Sequence, residues 1–282
     1  MRELSLFSGA GGGLLATKHL LGMETIGYVE WDEYCQKILK QRIEDGFLDR
    51  APTFGDIHGF IKRGAAAEYR GFADLVTAGF PCQPFSLAGK RLGPDDPRNQ
   101  WPATAETIRI VRPTCVFLEN NPGIEKYLPV VFGDLRRAGY CVHPPLYAAA
   151  ASLGAGHLRW RVWIYAHAHG AWEQQPERPQ QEVRGRPRGD CPEALRSDTL
   201  GQGFTDFARG QAVTDIARNA SARTRDWSAR RLPAWRVEPA LVRVVHGLPY
   251  RMDRTRALGQ AQLPIVAATA WRILTEGIRS DL

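Results

Sequence analysis

The sequence predicts an α/β protein built on a mostly parallel sheet with helices on both faces. Two observations predict it. Through residues 1–169, short apolar runs of strand length alternate with amphipathic stretches of helix length. Several of those runs end in glycine-rich or acidic loops, and sheets of this kind bind ligands at the carboxyl ends of their strands. A chain of 282 residues that is 44% hydrophobic allows one large domain, with a smaller insert, around a real core.

The first strand, Glu3–Phe7, opens into Ser8-Gly9-Ala10-Gly11-Gly12-Gly13 and a helix over Gly12–Leu21. Glycines there allow a sharp turn and a close backbone approach to a ligand. A dinucleotide fingerprint would need glycine where Leu14 stands, so the loop suits a nucleoside-type cofactor without a pyrophosphate. The second strand, Thr25–Glu30, delivers Glu30, Trp31 and Asp32 before a helix over Glu33–Gly46. An acid at that strand end can accept hydrogen bonds from ribose hydroxyls, and Trp31 can lie flat on a purine. Asp56 and Ile57, after Gly55, offer an acceptor and an amide for an adenine edge, in a pattern that ordinary turns share.

A third strand, Asp74–Ala78, leads into Gly79-Phe80-Pro81-Cys82-Gln83-Pro84-Phe85-Ser86. Cys82 has two readings there: a small buried packing group, or a thiol held at a strand mouth as a nucleophile. After a helix at Thr104–Val111, the strand Thr114–Glu119 carries Glu119 to the same rim. An apolar strand that points a carboxyl into a pocket raises its pKa, which suits a proton donor. A helix at Pro129–Ala138 and strands at Cys141–Ala149 and Arg161–His167 follow. Arg159 and Arg161 share one side of an extended segment and can clamp oxygens.

These segments, in this order, closely resemble the C5-cytosine DNA methyltransferases. The resemblance rests on Phe7–Gly12, Glu30-Trp31, Gly55-Asp56-Ile57, Gly79–Ser86, Glu119-Asn120, Arg159–Arg161 and the tail Arg256–Pro264. It implies a class-I S-adenosylmethionine-dependent methyltransferase sheet, Rossmann-like, with a small loop-rich target-recognition domain. It implies methyl transfer from S-adenosylmethionine to C5 of a flipped cytosine in double-stranded DNA, leaving S-adenosylhomocysteine and needing no metal. Cys82 would be the nucleophile at C6 and Glu119 the group that protonates N3. Arg161 would hold the O2 side of the base, and Arg159 would help place backbone phosphates. The donor would lie against Phe7, Gly9, Ala10, Gly11, Gly12, Glu30, Trp31, Asp56, Ile57, Pro81, Gln260 and Ala261. The segment from Gln83 to about Gln100 resembles the loop that closes over the flipped base.

The chain departs from the family pattern at three places. Asn121 stands where the family has Val after Glu-Asn, and His157 stands where it has Gln. The tail reads Gly259-Gln260-Ala261-Gln262-Leu263-Pro264 instead of Gly-Asn-x-Val-x-Pro. Two alternatives therefore stay open beside the active DNA enzyme: a weakly active or inactive DNA-binding paralogue, and an RNA cytosine-C5 methyltransferase.

The implied domain plan is a catalytic part, 1–169, completed by a returning segment, 237–282. A target-recognition segment, 170–236, would lie between them. That middle segment holds twelve arginines against nine acids and few apolar residues. It reads either as a linker or as a module that orders on a polyanion. Beyond it a helix at Leu241–His246, a turn at Gly247–Pro249 and a last helix at Pro264–Gly277 are expected. The net charge of +7, carried mostly by arginine, suits a phosphate-bearing partner. No apolar run reaches 18 residues, and the N-terminus lacks a signal-peptide layout. Five scattered cysteines argue against a disulfide framework or a structural zinc. The expectation is a cytoplasmic monomer of bacterial or phage type, in a restriction-modification setting with a separately encoded endonuclease.

Overall fold

The computed structural model describes residues 1–81, 99–155, 159–169, 252–253, 257 and 261–276. Cys82, His157 and Gln260 lie outside the described residues. So do nearly all of the expected closing loop, the whole of 170–236, the helix Leu241–His246 and the turn after it.

The strands are β1 (Arg2–Leu6), β2 (Glu24–Val29), β3 (Thr53–Phe54), β4 (Leu75–Ala78), β5 (Cys115–Asn120), β6 (Tyr140–Val142), β7 (Leu146–Ala149) and β8 (Trp160–Ala168). They form one sheet in the order β3-β2-β1-β4-β5-β8-β6, with β7 also paired to β8. The first five are parallel, and β8 runs antiparallel beside β5. The chain steps outward from β1 to β2 and β3, then returns on the other side of β1 as β4. That reversal opens a crevice at the carboxyl ends of β1 and β4, where α/β sheets take their ligands.

The helices are α1 (Gly12–Leu15), which runs on into a π turn at Ala16–Leu20, α2 (Glu33–Glu44), α3 (Ile57–Lys62), α4 (Ala65–Glu68), α5 (Trp101–Val111), α6 (Leu128–Arg137) and α7 (Pro264–Glu276). Strand alternation divides the core between the two faces. Leu4, Leu6, Val116 and Leu118 join Phe60, Ile108 and Val131 from α3, α5 and α6. On the other face, Cys115, Phe117, Trp163 and Tyr165 meet Val266, Ala267 and Trp271 of α7. The Trp271 ring stands edge-on to Phe117 at 5.3 Å and to Tyr165 at 5.5 Å.

Four expectations need correction. The single strand over Cys141–Ala149 is two strands, because Pro144 and Pro145 have no amide hydrogen to give the ladder. Both halves still pair with β8, through Cys141↔His167 and Leu146↔Trp163. Helices α3 and α4 stand where no helix was expected, and α5 begins at Trp101 rather than Thr104. The first strand stops at Leu6, because Phe7 turns left-handed at φ 53°. Cys141 lies in β6 opposite His167 of β8. Its sulfur lies in a group with His143 and His167 whose donor atoms are within 4.8 Å of one another, at the sheet end away from the crevice. The two rings share a 2.9 Å hydrogen bond, and burial lowers both to about 4, so both are neutral at physiological pH.

The packing of α7 predicts its own test. Trp271→Ala removes the ring that wedges against Phe117 and Tyr165, and should cost about 3–5 kcal/mol. Thermal melting followed by circular dichroism should show a fall of several degrees. A melt superimposable on the wild type would mean that α7 is not packed as described.

Candidate active site

Two strand ends and the C-terminal segment build the crevice. At the first, β1 runs into a glycine loop whose backbone is left-handed at Phe7 (φ 53°), Gly9 (φ 56°) and Gly11 (φ 88°). Phe7 is the strained one, since that conformation is costly for a residue with a side chain. The loop is held by β2: the Gly9 amide donates to Glu30 Oε2 at 2.7 Å, and the Asp32 amide donates to Oε1 at 2.8 Å. Burial raises the Glu30 pKa, and these amides, which favour the carboxylate, oppose the rise. Gln36 of α2 donates to the Glu30 carbonyl at 2.6 Å, fixing the strand end from behind.

At the second, β5 is buried along its whole length and delivers Glu119 and Asn120. Glu119 Oε1 meets Arg161 Nε of β8 at 2.6 Å. Burial raises the Glu119 pKa most. Arg161, a hydrogen bond from Gln262 and the charge of Arg159 oppose the rise. A carboxyl held above its ordinary range keeps a transferable proton closer to neutral pH. Asn120 turns the other way: its Nδ2 donates at 3.0 Å to the carbonyl of Phe80, beyond the end of β4, and so anchors the segment that leads into Pro81 and Cys82.

The third contribution comes from the C-terminal segment, which crosses the glycine loop. A Cβ placed on Gly12 would sit 2.3 Å from the carbonyl oxygen of Gln262, and one on Gly13 would sit 2.5 Å from the Gln262 side-chain oxygen. At Gly12 only glycine admits this crossing, because the opposing atom is backbone. The Gln262 Nε2 donates to Glu119 Oε2 at 3.4 Å. Arg159, left-handed at φ 38°, donates through its guanidinium to the carbonyl of Ala261.

These groups enclose a cavity of about 710 Å³. Its wall includes Phe7, Gly9, Ala10, Gly12, Glu30, Trp31, Asp56, Ile57, Pro81, Glu119, Arg161 and Ala261, all candidates from the sequence. Among the described residues, two candidates are not in the wall. Gly11 backs onto Leu48 and Leu39 of the core, and Arg159 is turned to the tail carbonyl. Trp31 is 74% exposed, so one ring face is open to a ligand. The Asp56 carboxylate caps α3, accepting from the amides of His58 at 3.2 Å and Gly59 at 2.8 Å. Ile57 buries its side chain in the core. Sequence reasoning passed over Gln262 as a site residue, although its position in the tail, usually apolar in the resembled family, was the available signal.

The sheet, its crevice and this cavity define a class-I S-adenosylmethionine-dependent methyltransferase fold. Residues 1–228 match the family of C-5 cytosine-specific DNA methylases, and the chain belongs to it. The type II methyltransferase M.HpaII of Haemophilus parainfluenzae is 34% identical over 172 residues, covering 57% of this chain and 44% of that protein. M.NgoBI of Neisseria gonorrhoeae is 30% identical over 71% of this chain and 63% of its own length. M.AquIA of Picosynechococcus is 34% identical over 62% of this chain and 75% of its own. The match thus spans about half the length of the first two relatives. In fold, a DNMT2 variant from Spodoptera frugiperda covers 97% of this chain and 99% of its own, with a TM-score of 0.53 at 14% identity.

The glycine crossing yields a paired prediction. Gly12→Ala puts a methyl against a backbone oxygen that cannot rotate away, and should cost about 1–3 kcal/mol. Gly13→Ala meets only the end of a flexible side chain and should cost less. Melting temperatures of both variants check this order. Equal melts would show that the tail does not lie on Gly12.

Proposed function

We propose that this chain is a DNA (cytosine-5-)-methyltransferase. It would transfer a methyl group from S-adenosylmethionine to C5 of a flipped cytosine in a specific duplex sequence, through a covalent bond from Cys82 to C6. The observation that carries the reading is one cavity, in a member of this family, with the Glu30-gripped glycine loop at one side and the Glu119–Arg161 pair at the other. Pro81, the residue before Cys82, is part of its wall.

The residues fit the donor in kind. The cavity has the volume of a small-molecule site. Glu30 offers carboxylate oxygens for hydroxyl groups, and Trp31 offers an open ring face for a flat heterocycle. When bound, the donor supplies an electrophilic methyl on a sulfonium sulfur.

Cytosine C5 is too electron-poor to accept that methyl unaided. The Cys82 thiolate adds to C6, and its electron pair pushes the ring π electrons toward N3 and C5. Glu119 gives its proton to N3 as the addition proceeds, so the negative charge never accumulates there. Arg161 compensates the carboxylate left behind and faces the O2 side of the ring. C5, now an enamine carbon, takes the methyl. A base or water removes the C5 proton, the C5–H electron pair re-forms the C5=C6 bond as the C6–S bond breaks to return the Cys82 thiolate, and N3 gives its proton back to the Glu119 carboxylate. A thiol cannot reach C6 within a stacked duplex, so the base must leave the helix.

Residues 170–236 are assigned the reading of sequence, with Arg, Gln, Asn and Asp for base edges and phosphates. A monomer, a cytoplasmic location and a separately encoded endonuclease belong to the same proposal. No helix among the described residues is long and apolar enough to cross a membrane.

The test is labelled methyl transfer to mixed-sequence duplex DNA, with the modified cytosines mapped by conversion sequencing. Wild-type protein should modify C5 within one sequence context. Cys82→Ser should abolish transfer, and Glu119→Gln should slow it by about 10²–10⁴-fold. Transfer undiminished in Cys82→Ser, or none to DNA at all, sinks the proposal. Transfer to tRNA alone would replace it with the RNA reading.

A further inference from the structure

We propose that Gln262 is a positioning residue for the acid Glu119, and that it ties the acid mechanically to the glycine loop. The inference rests on the function proposed above for what Glu119 does, but its geometry stands apart from that reading. Glu119 has two oxygens and, among the described residues, two side chains that hold them. Arg161 Nε takes Oε1 at 2.6 Å, and Gln262 Nε2 takes Oε2 at 3.4 Å. The carboxyl plane is therefore fixed from both sides. The amide is itself confined: its oxygen lies where a side chain on Gly13 would be, and its nitrogen is 3.1 Å from where a Cβ on Gly79 would be.

This arrangement depends on an amide at position 262. A valine there, as in the family pattern, could pack in the same space but could not donate to Glu119. The side chain thus adds a neutral donor to a pair that would otherwise have arginine on one oxygen only. The charged groups that act on Glu119 are Arg161 from β8 and Arg159 from the turn before it. Gln262 adds no charge. It favours the ionised carboxyl by hydrogen bonding and opposes the rise that burial causes. Removing it should raise the Glu119 pKa further, so that the proton is retained to higher pH. The same removal should free the carboxyl to rotate, which slows the chemical step without touching donor binding.

Two variants detach the amide by different routes. Gln262→Met keeps the length and loses the donor. Gly13→Ala leaves Gln262 intact and pushes its amide aside. In isotope-edited carboxyl NMR, with Glu119→Gln to assign the signal, Glu119 should titrate about one half to one pH unit higher in both variants than in the wild type. In steady-state transfer assays of Gln262→Met, kcat should fall severalfold with the donor KM within about twofold, and the alkaline limb of the pH profile should move up with the NMR shift. An unmoved Glu119 titration in both variants overturns the proposal. A wild-type protein that methylates no DNA overturns the function proposed above, and the NMR shift still decides the role of Gln262.

Discussion

The site depends most on a register. Strands β5 and β8 pair antiparallel with Glu119 opposite Trp163 and Asn120 opposite Val162. Arg161 therefore falls just past the end of β5. With side chains alternating, it points to the same face as Glu119. A slip of one residue would turn the guanidinium to the opposite face and leave a buried carboxyl without its cation. Breaking one partner of a buried pair costs about 3–5 kcal/mol, so the register is held by stability as much as by chemistry. The aromatic contacts reinforce it: Phe117 stacks on Trp163 at 5.1 Å, one alternation in from the ion pair. Helix α7 clamps the same face, and from its start the tail reaches Gln262 and Ala261 over the cavity.

Apart from the two-residue β3, the parallel half of the sheet was legible in the sequence, because its signals are local. Each strand is an apolar run, and each functional loop follows directly after its strand. The glycine loop, Glu30 and Glu119 could be placed from neighbours within a few residues. The missed features are set by distant partners. Helices α3 and α4 are too short for a periodic pattern to stand out, and Asp56 as an N-cap was the available start signal. The break in the strand at Pro144 was written in the sequence and was outweighed by the apolar residues around it. Gln262 was visible only as a departure from a pattern. Its meaning required knowing that position 262 lies beside a carboxyl 143 residues earlier. The same holds for Arg159, where β alternation suggested a partner of Arg161 in a clamp. A left-handed backbone turns it to the tail instead.

The departures from the family pattern have different structural weight. Asn121 replaces an apolar residue and acts locally. Its side-chain oxygen accepts from the Gly123 amide at 2.8 Å and starts the turn Pro122–Tyr127. That turn packs Ile124 and Tyr127 into the core, so the substitution serves the fold at the floor of the site. Gln262 instead enters the chemistry-bearing cluster. A polar group there is costly unless satisfied, and the carboxyl it meets is equally in need of a donor.

Strand order explains why three strand ends converge on one cavity. β4 lies between β1 and β5 and is parallel to both, so its exit loop must emerge between the glycine loop and Glu119. Neighbouring strands are about 4.8 Å apart, which separates the donor-side loop from the acid by roughly 10 Å. Under the proposed function, a nucleophile carried by the segment after β4 would leave the sheet between the two. Asn120 closes the arrangement from the acid side by holding the Phe80 carbonyl, and the Phe80 ring packs at 5.2 Å against Trp101 of α5. The exit of β4 is thus held at Phe80 by two different elements, and Cys82 follows two residues later. Under the proposed function, donor, nucleophile and acid would follow one another in that order along the carboxyl edge, whichever cytosine is presented to them.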